Sequence, residues 1–170
     1  LPVKQDGVVE VIEVFWYGCG HCFNLAPAVS SWSKKKDSSV NFRKMPVTWG
    51  PVHQLHAKLF YTIEALGIGE TGHTAVFTAI HKEGNFLSSD SAILDFLEEL
   101  GMDRSETIKY MNSFSVRQKV KRAIEISKQF KVTATPMMFV DGQYRIEAKG
   151  GSSKMLKVVD HVIELQKPIS

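Results

Sequence analysis

The only two cysteines in the chain stand three positions apart, as Cys19-Gly20-His21-Cys22, directly behind a short apolar run. That run, VVEVIEVFW from Val8 to Trp16, is β-branched and apolar at both alternating sets of positions. Such a pattern predicts a strand buried on both faces, as in the middle of an α/β sheet. Gly18 and Gly20 mark a turn, and His21 to about Lys36 reads as a helix interrupted by Pro27. A disulfide between Cys19 and Cys22 closes a very small loop, so it removes little entropy from the unfolded chain. A stapling bond would span more residues, so the pair is expected to be reactive rather than structural.

The chemistry follows from the position. A thiolate is the nucleophile in disulfide exchange. Cys19, at the mouth of a helix, lies where unpaired backbone N–H groups and the helix dipole favour negative charge. His21 can add a positive charge or a hydrogen bond. Cys22, one turn further in, is expected to be more buried and less acidic. Cys19 is therefore assigned as the attacked or attacking sulfur and Cys22 as the resolving one. Selective stabilisation of the Cys19 thiolate favours the reduced form and makes the disulfide a better oxidant.

Further along the chain, Val40 to Met45 reads as a second strand. From Pro51 to about Gln129 the apolar residues recur at helical spacing, for example Leu55, Leu59, Ile63 and Leu66, or Ile93, Leu94, Leu97 and Leu100. This predicts a block of about five helices, with Asp103 and Glu106 as a capping box and Gly67 and Gly101 at helix ends. Pro136 to Val140 and Tyr144 to Ala148 read as strands joined by an Asp141-Gly142 hairpin turn, and Ser152 to Gln166 as a last helix. Without the helical block, a βαβ unit is followed by a ββα unit. The expected fold is α/β, a thioredoxin fold with an inserted helical domain: residues 1–50 and 130–170 form the thioredoxin-like domain and 51–129 the insertion.

Two further features bear on the site. Glu13 interrupts the buried strand on the face of Val11 and Phe15, where a carboxylate is costly unless paired or used. It lies six residues before Cys19, so a proton-transfer role toward Cys22 is one reading, with Lys44 in the second strand compensating its charge; escape to solvent past the sheet end is the other. Thr135-Pro136 opens a strand expected to pass near the cysteine turn. X-Pro bonds are where cis peptides occur. The dipeptide alone leaves cis and trans open; the thioredoxin arrangement favours cis, presenting the Thr135 backbone to an extended substrate chain.

Other classes fit less well. A zinc site needs a second set of ligands, and His53 with His56 is the only close pair, at a spacing short of the usual one. These two and His161 read as residues of ordinary helix faces, and His73 and His81 have no recognisable partner. The net charge of +3 is too small for a dedicated nucleic-acid binder. The charge-free stretch Val14–Ser33 contains glycines, Pro27 and several serines and makes a poor membrane span. No signal peptide is visible, and the opening Leu1-Pro2 suggests a mature or trimmed product.

Together these residues closely resemble the DsbA family of bacterial thiol:disulfide oxidoreductases. The string EVIEVFWYGCGHCFNLAP is similar to the family's active-site strand, turn and helix. Glu13 and Lys44 match its buried acid–lysine pair, and Val132-Thr133-Ala134-Thr135-Pro136 its cis-proline loop. The resemblance covers nearly the whole chain; only the family's opening strand looks to be missing. It implies that Cys19 and Cys22 are the redox pair, His21 the thiolate stabiliser, and Thr135, Pro136 and Gly20 the substrate-contacting positions. No cofactor or metal is implied beyond the Cys19–Cys22 disulfide. The implied partners are unfolded, newly exported proteins, with a DsbB-like membrane quinone reductase as reoxidant; the protein would be a monomer of the periplasm. Gly20 departs from the best-known members, which have Pro there, and Gly-His also occurs in eukaryotic disulfide isomerases. The alternatives are accordingly an isomerase or reductant, and a non-catalytic peptide-binding chaperone. Trp16, Tyr17 and Trp49 are candidates for either a docking surface or packing.

Overall fold

The computed structural model describes residues 7–167. The chain divides into two compact units. One is built from the residues up to Phe15, Cys19–Met45 and the residues from Thr133 onward; the other from Trp16–Gly18 and Pro46–Val132. The divisions therefore fall at 45/46 and 132/133 instead of 50/51 and 129/130. Three residues immediately before Cys19 group with the helices.

The first unit is a four-stranded sheet in the order β2-β1-β3-β4 with two helices. Its strands are β1 (Val9–Phe15), β2 (Val40–Pro46), β3 (Met137–Val140) and β4 (Tyr144–Glu147), and its helices are α1 (Gly20–Lys35) and α7 (Ser152–Gln166). β1 is central, and its register against antiparallel β3 sets Glu13 opposite Met138 and Val11 opposite Val140. β3 turns into β4 through Asp141 and Gly142, at φ 52° and 65°, the left-handed pair that hairpin turns require. The core combines Val9, Val11, Met138, Val140 and Ile146 of the sheet with Leu25 and Val29 of α1 and Met155, Leu156, Val159 and Ile163 of α7. Burial of each such side chain stabilises the fold by about 1.5–3 kcal/mol. Ile12, Val14, Met137 and Phe139, at the alternate positions, are buried as well, as expected of a strand covered on both faces. The α1 helix is not interrupted at Pro27, which lies inside it. A proline costs one ladder hydrogen bond, and the surrounding anchors Cys22, Leu25 and Val29 are all buried, so packing holds the helix through that position.

The second unit contains α2 (Pro51–Ala65), α3 (Gly69–His81), α4 (Asp90–Glu99), α5 (Arg104–Met111) and α6 (Phe114–Gln129). Pro51 opens α2 at a position where its missing N–H costs nothing. Ser89, Asp103 and Ser113 cap α4, α5 and α6 by accepting from the backbone N–H of Ala92, Glu106 and Val116 at 3.1, 2.8 and 3.1 Å. Gly101, at φ 93°, closes α4 in a conformation that other residues resist. Among the described residues no helix is long and apolar enough to cross a membrane.

Candidate active site

Cys19 is the N-cap of α1, in extended conformation at φ −81° and ψ 118°. Its Sγ accepts from the Cys22 N–H at 3.3 Å, the bond a serine or aspartate cap would accept. The Phe23 N–H donates to the Cys19 carbonyl at 3.0 Å, which starts the helix. The first turn of α1 has no acidic side chain to compete for the positive end of the dipole. Cys19 is half-buried and Cys22 buried.

These contacts lower the Cys19 pKa from 9.0 to about 5. The largest cause is the hydrogen bond from the Cys22 thiol. Partial burial opposes it, and the Thr135 side chain and the backbone N–H groups of Cys22 and His21 add to it. When protonated, Cys19 Sγ donates to the Thr135 carbonyl oxygen at 3.7 Å. That acceptor favours the thiol, but the donors outnumber it. Thr135–Pro136 is a cis peptide bond, so the structure has the cis form of the two left open, with Thr135 against Cys19.

The His21 side chain is exposed, and the group of His21 that reaches the sulfur is its backbone N–H. Gly20, the first residue of α1, is exposed, and a Cβ there would meet no atom within 4 Å.

Glu13 is 2% exposed, so it does not escape to solvent. Lys44 Nζ lies 3.9 Å from its Oε1, too far for a hydrogen bond, and that oxygen is buried without a hydrogen-bond partner among the described residues. Burial raises the Glu13 pKa; Lys44 partly offsets this, and the negative charge of Cys19 raises it further. Lys44 also sits over the Phe15 ring, 5.6 Å from its centroid. A buried carboxyl that holds its proton more tightly than usual, and feels the charge on Cys19, is suited to storing and returning one proton.

In the second unit, the residues just ahead of Cys19 are gripped by histidines. Trp16 Nε1–H donates to His56 Nδ1 at 3.0 Å. Tyr17 is 1% exposed, and its hydroxyl bonds His73 Nδ1 at 2.5 Å. His73 Nε2 bonds Glu64 at 2.9 Å, and His81 Nε2 donates to the Tyr17 carbonyl at 2.7 Å. His56 is thus buried rather than part of an ordinary helix face, and His73 and His81 have definite partners, contrary to the expectation from sequence. Their partners at Trp16 and Tyr17 lie 40, 56 and 64 residues away, beyond any local pattern. Tyr17 packs and is no docking residue. Trp49 is 47% exposed although its Nε1–H donates to the Val132 carbonyl at 3.2 Å.

A thiol pair that differs this much in burial, at the start of a helix behind a central strand, is built to open and close a disulfide, and the fold and site define a thiol:disulfide oxidoreductase. Known proteins agree. The family described as DSBA-like thioredoxin domain matches residues 53–162. The chain is 36% identical to the thiol:disulfide interchange protein DsbA of Azotobacter vinelandii over 169 residues, 98% of this chain and 79% of that one. It is also 36% identical to DsbA of Pseudomonas aeruginosa, over 98% of this chain and 80% of the relative. The crystal structure of Pseudomonas aeruginosa DsbA superposes with a TM-score of 0.92, covering 98% of this chain and 88% of that one. The chain belongs to the DSBA-like family of thioredoxin-domain proteins.

Proposed function

We propose that this oxidoreductase works as an oxidase, donating the Cys19–Cys22 disulfide to extended, newly exported chains in the periplasm. The observation that carries this reading is the Cys19 pKa, lowered to about 5. A sulfur that stable as an anion leaves readily and favours the reduced protein. Each pKa unit of selective stabilisation is worth about 30 mV in a two-electron couple, less where solvent screens a half-exposed group.

A substrate thiolate attacks Cys19 Sγ, the Cys19–Cys22 bond breaks, and Cys22 takes the electron pair. Glu13, with Lys44 holding its charge, supplies the proton that Cys22 gains. A mixed disulfide joins Cys19 to the substrate. A second substrate thiolate attacks the substrate sulfur and expels Cys19 as the thiolate, held by the Cys22 and His21 N–H groups. Two electrons have passed from two substrate thiols to the protein. Substrate backbone pairs with Thr135 beside Pro136, and Gly20 leaves room for it. The protein acts as a monomer without a further cofactor, and a DsbB-like membrane quinone reductase removes the two electrons.

The test is the equilibrium constant with glutathione, together with oxidation of a reduced, unfolded protein. A potential more oxidising than glutathione, and loss of turnover in Cys19→Ser, are expected. A more reducing potential would make the protein a reductant and overturn the oxidase reading.

A further inference from the structure

Trp16 Nε1–H can only donate, so His56 Nδ1 must accept at 3.0 Å. The other ring nitrogen, Nε2, faces the carbonyl oxygens of Leu87 and Phe86 at 3.0 and 3.2 Å. Carbonyls only accept, so Nε2 must carry the hydrogen. His56 is therefore held as one neutral tautomer by partners on both sides, and its place in the interior keeps it there: it is 2% exposed. The indole it fixes is backed by the His53 ring, with centroids 4.5 Å apart. That indole lies directly on Gly18. A Cβ at position 18 would come within 2.4–2.7 Å of three of its ring atoms, closer than atoms can pack. Glycine is thus required there by the approach of Trp16, and the next residue in the chain is Cys19.

We propose that His56 is a positioning residue for the redox cysteine, acting through Trp16 and Gly18. The chain of action is short. His56 fixes the indole, the indole fixes the Gly18 backbone, and Gly18 sets the direction in which the chain enters Cys19. Cys19 caps α1 through its own Sγ, at 3.3 Å from the Cys22 N–H. A cap bond of that kind depends on the backbone angles of the cap residue. A loosened Gly18 lets Sγ leave the donors that stabilise its anion, so the thiolate pKa rises and the disulfide becomes a weaker oxidant. His56 touches neither sulfur nor substrate in this scheme. Its work is to supply an acceptor at one point in space.

The inference rests on Cys19 being the stabilised thiolate. The test measures the Cys19 pKa by thiolate absorbance and the glutathione equilibrium constant for wild type, His56→Leu, His56→Asn, Trp16→Phe and the double variant His56→Leu/Trp16→Phe. One hydrogen bond lost from the Cys19 thiolate, which the disulfide form does not share, is worth a shift of about fivefold in the equilibrium constant, so His56→Leu and Trp16→Phe should each weaken the oxidant by about that factor and raise the pKa. The double variant should go no further than either single one, because both remove the same bond. His56→Asn, whose side-chain oxygen can stand in for Nδ1, should restore most of the wild-type value. A structural role alone would lower stability without moving pKa or equilibrium constant. Unchanged redox values in Trp16→Phe, additive effects in the double variant, or failure of asparagine to rescue would overturn the assignment. Should His56→Leu not fold, Trp16→Phe still decides. A wild-type Cys19 that titrates near 9 would instead sink the oxidase reading itself.

Discussion

At the scale of the residue, the chemistry sits in a few atoms whose surroundings differ sharply. Cys19 is offered several donors at a helix mouth, whereas Glu13 has a buried oxygen to which none of the described residues donates. Burial raises the Glu13 pKa, so its ionised form is the one the fold disfavours, and Glu13→Gln, which removes that charge, should raise unfolding stability at neutral pH by about 1 kcal/mol. If Glu13 is the proposed proton donor to Cys22, the same variant should slow disulfide exchange. Chemical denaturation and stopped-flow exchange with a small thiol check both halves; a less stable Gln variant would mean that the Lys44 attraction outweighs burial. Cys19, Cys22, Glu13 and Thr135-Pro136 were legible in the sequence because their signals are local: spacing, a charge in an apolar strand, an X-Pro bond. The histidine grip on Trp16 and Tyr17 was not. It joins residues 40 to 64 positions apart, and a single histidine in a helix gives no sign of what it faces across the fold.

At the scale of the element, α1 is where sequence and chemistry meet. Its span, read as His21 to about Lys36 behind the glycine turn, lies within a residue of the observed Gly20–Lys35, but Pro27 misled, because the cost of a missing N–H is visible locally and the packing of Leu25 and Val29 that outweighs it is not. The helix start is less rigid than it can be, since Gly20 stands at its first position. Proline suits that position, the preceding Cys19 already has the extended angles that a following proline demands, and position 20 is open. No donor to the sulfur is lost, for the backbone groups that stabilise it belong to His21 and Cys22. Gly20→Pro should therefore stabilise the fold by about 0.4–1 kcal/mol, in both redox states, as read by denaturant midpoints. A destabilised variant would show that the Gly20 backbone departs from what proline allows.

At the scale of the whole molecule, the two units were legible as a switch from strand to helical periodicity, and the helix count of the insertion followed from its spacing. The allegiance of Trp16–Gly18 to the helical unit was not, because Trp16 reads as the end of the strand and Gly18 as part of the turn that leads to Cys19. The consequence of the whole arrangement is thermodynamic. The Cys19 pKa is depressed in the folded, reduced protein relative to the unfolded chain. A depressed acid stabilises the fold fully above the unfolded value, near 9, and loses that contribution as pH falls to the folded value of about 5. The oxidised form has no such thiolate, and its small disulfide loop adds little. The most direct measurement is the denaturant stability of the reduced and oxidised proteins from pH 4 to pH 9. The reduced protein should be the more stable one at neutral pH, with the advantage shrinking steadily toward about pH 5. An oxidised protein that is the more stable across that whole range would contradict the account.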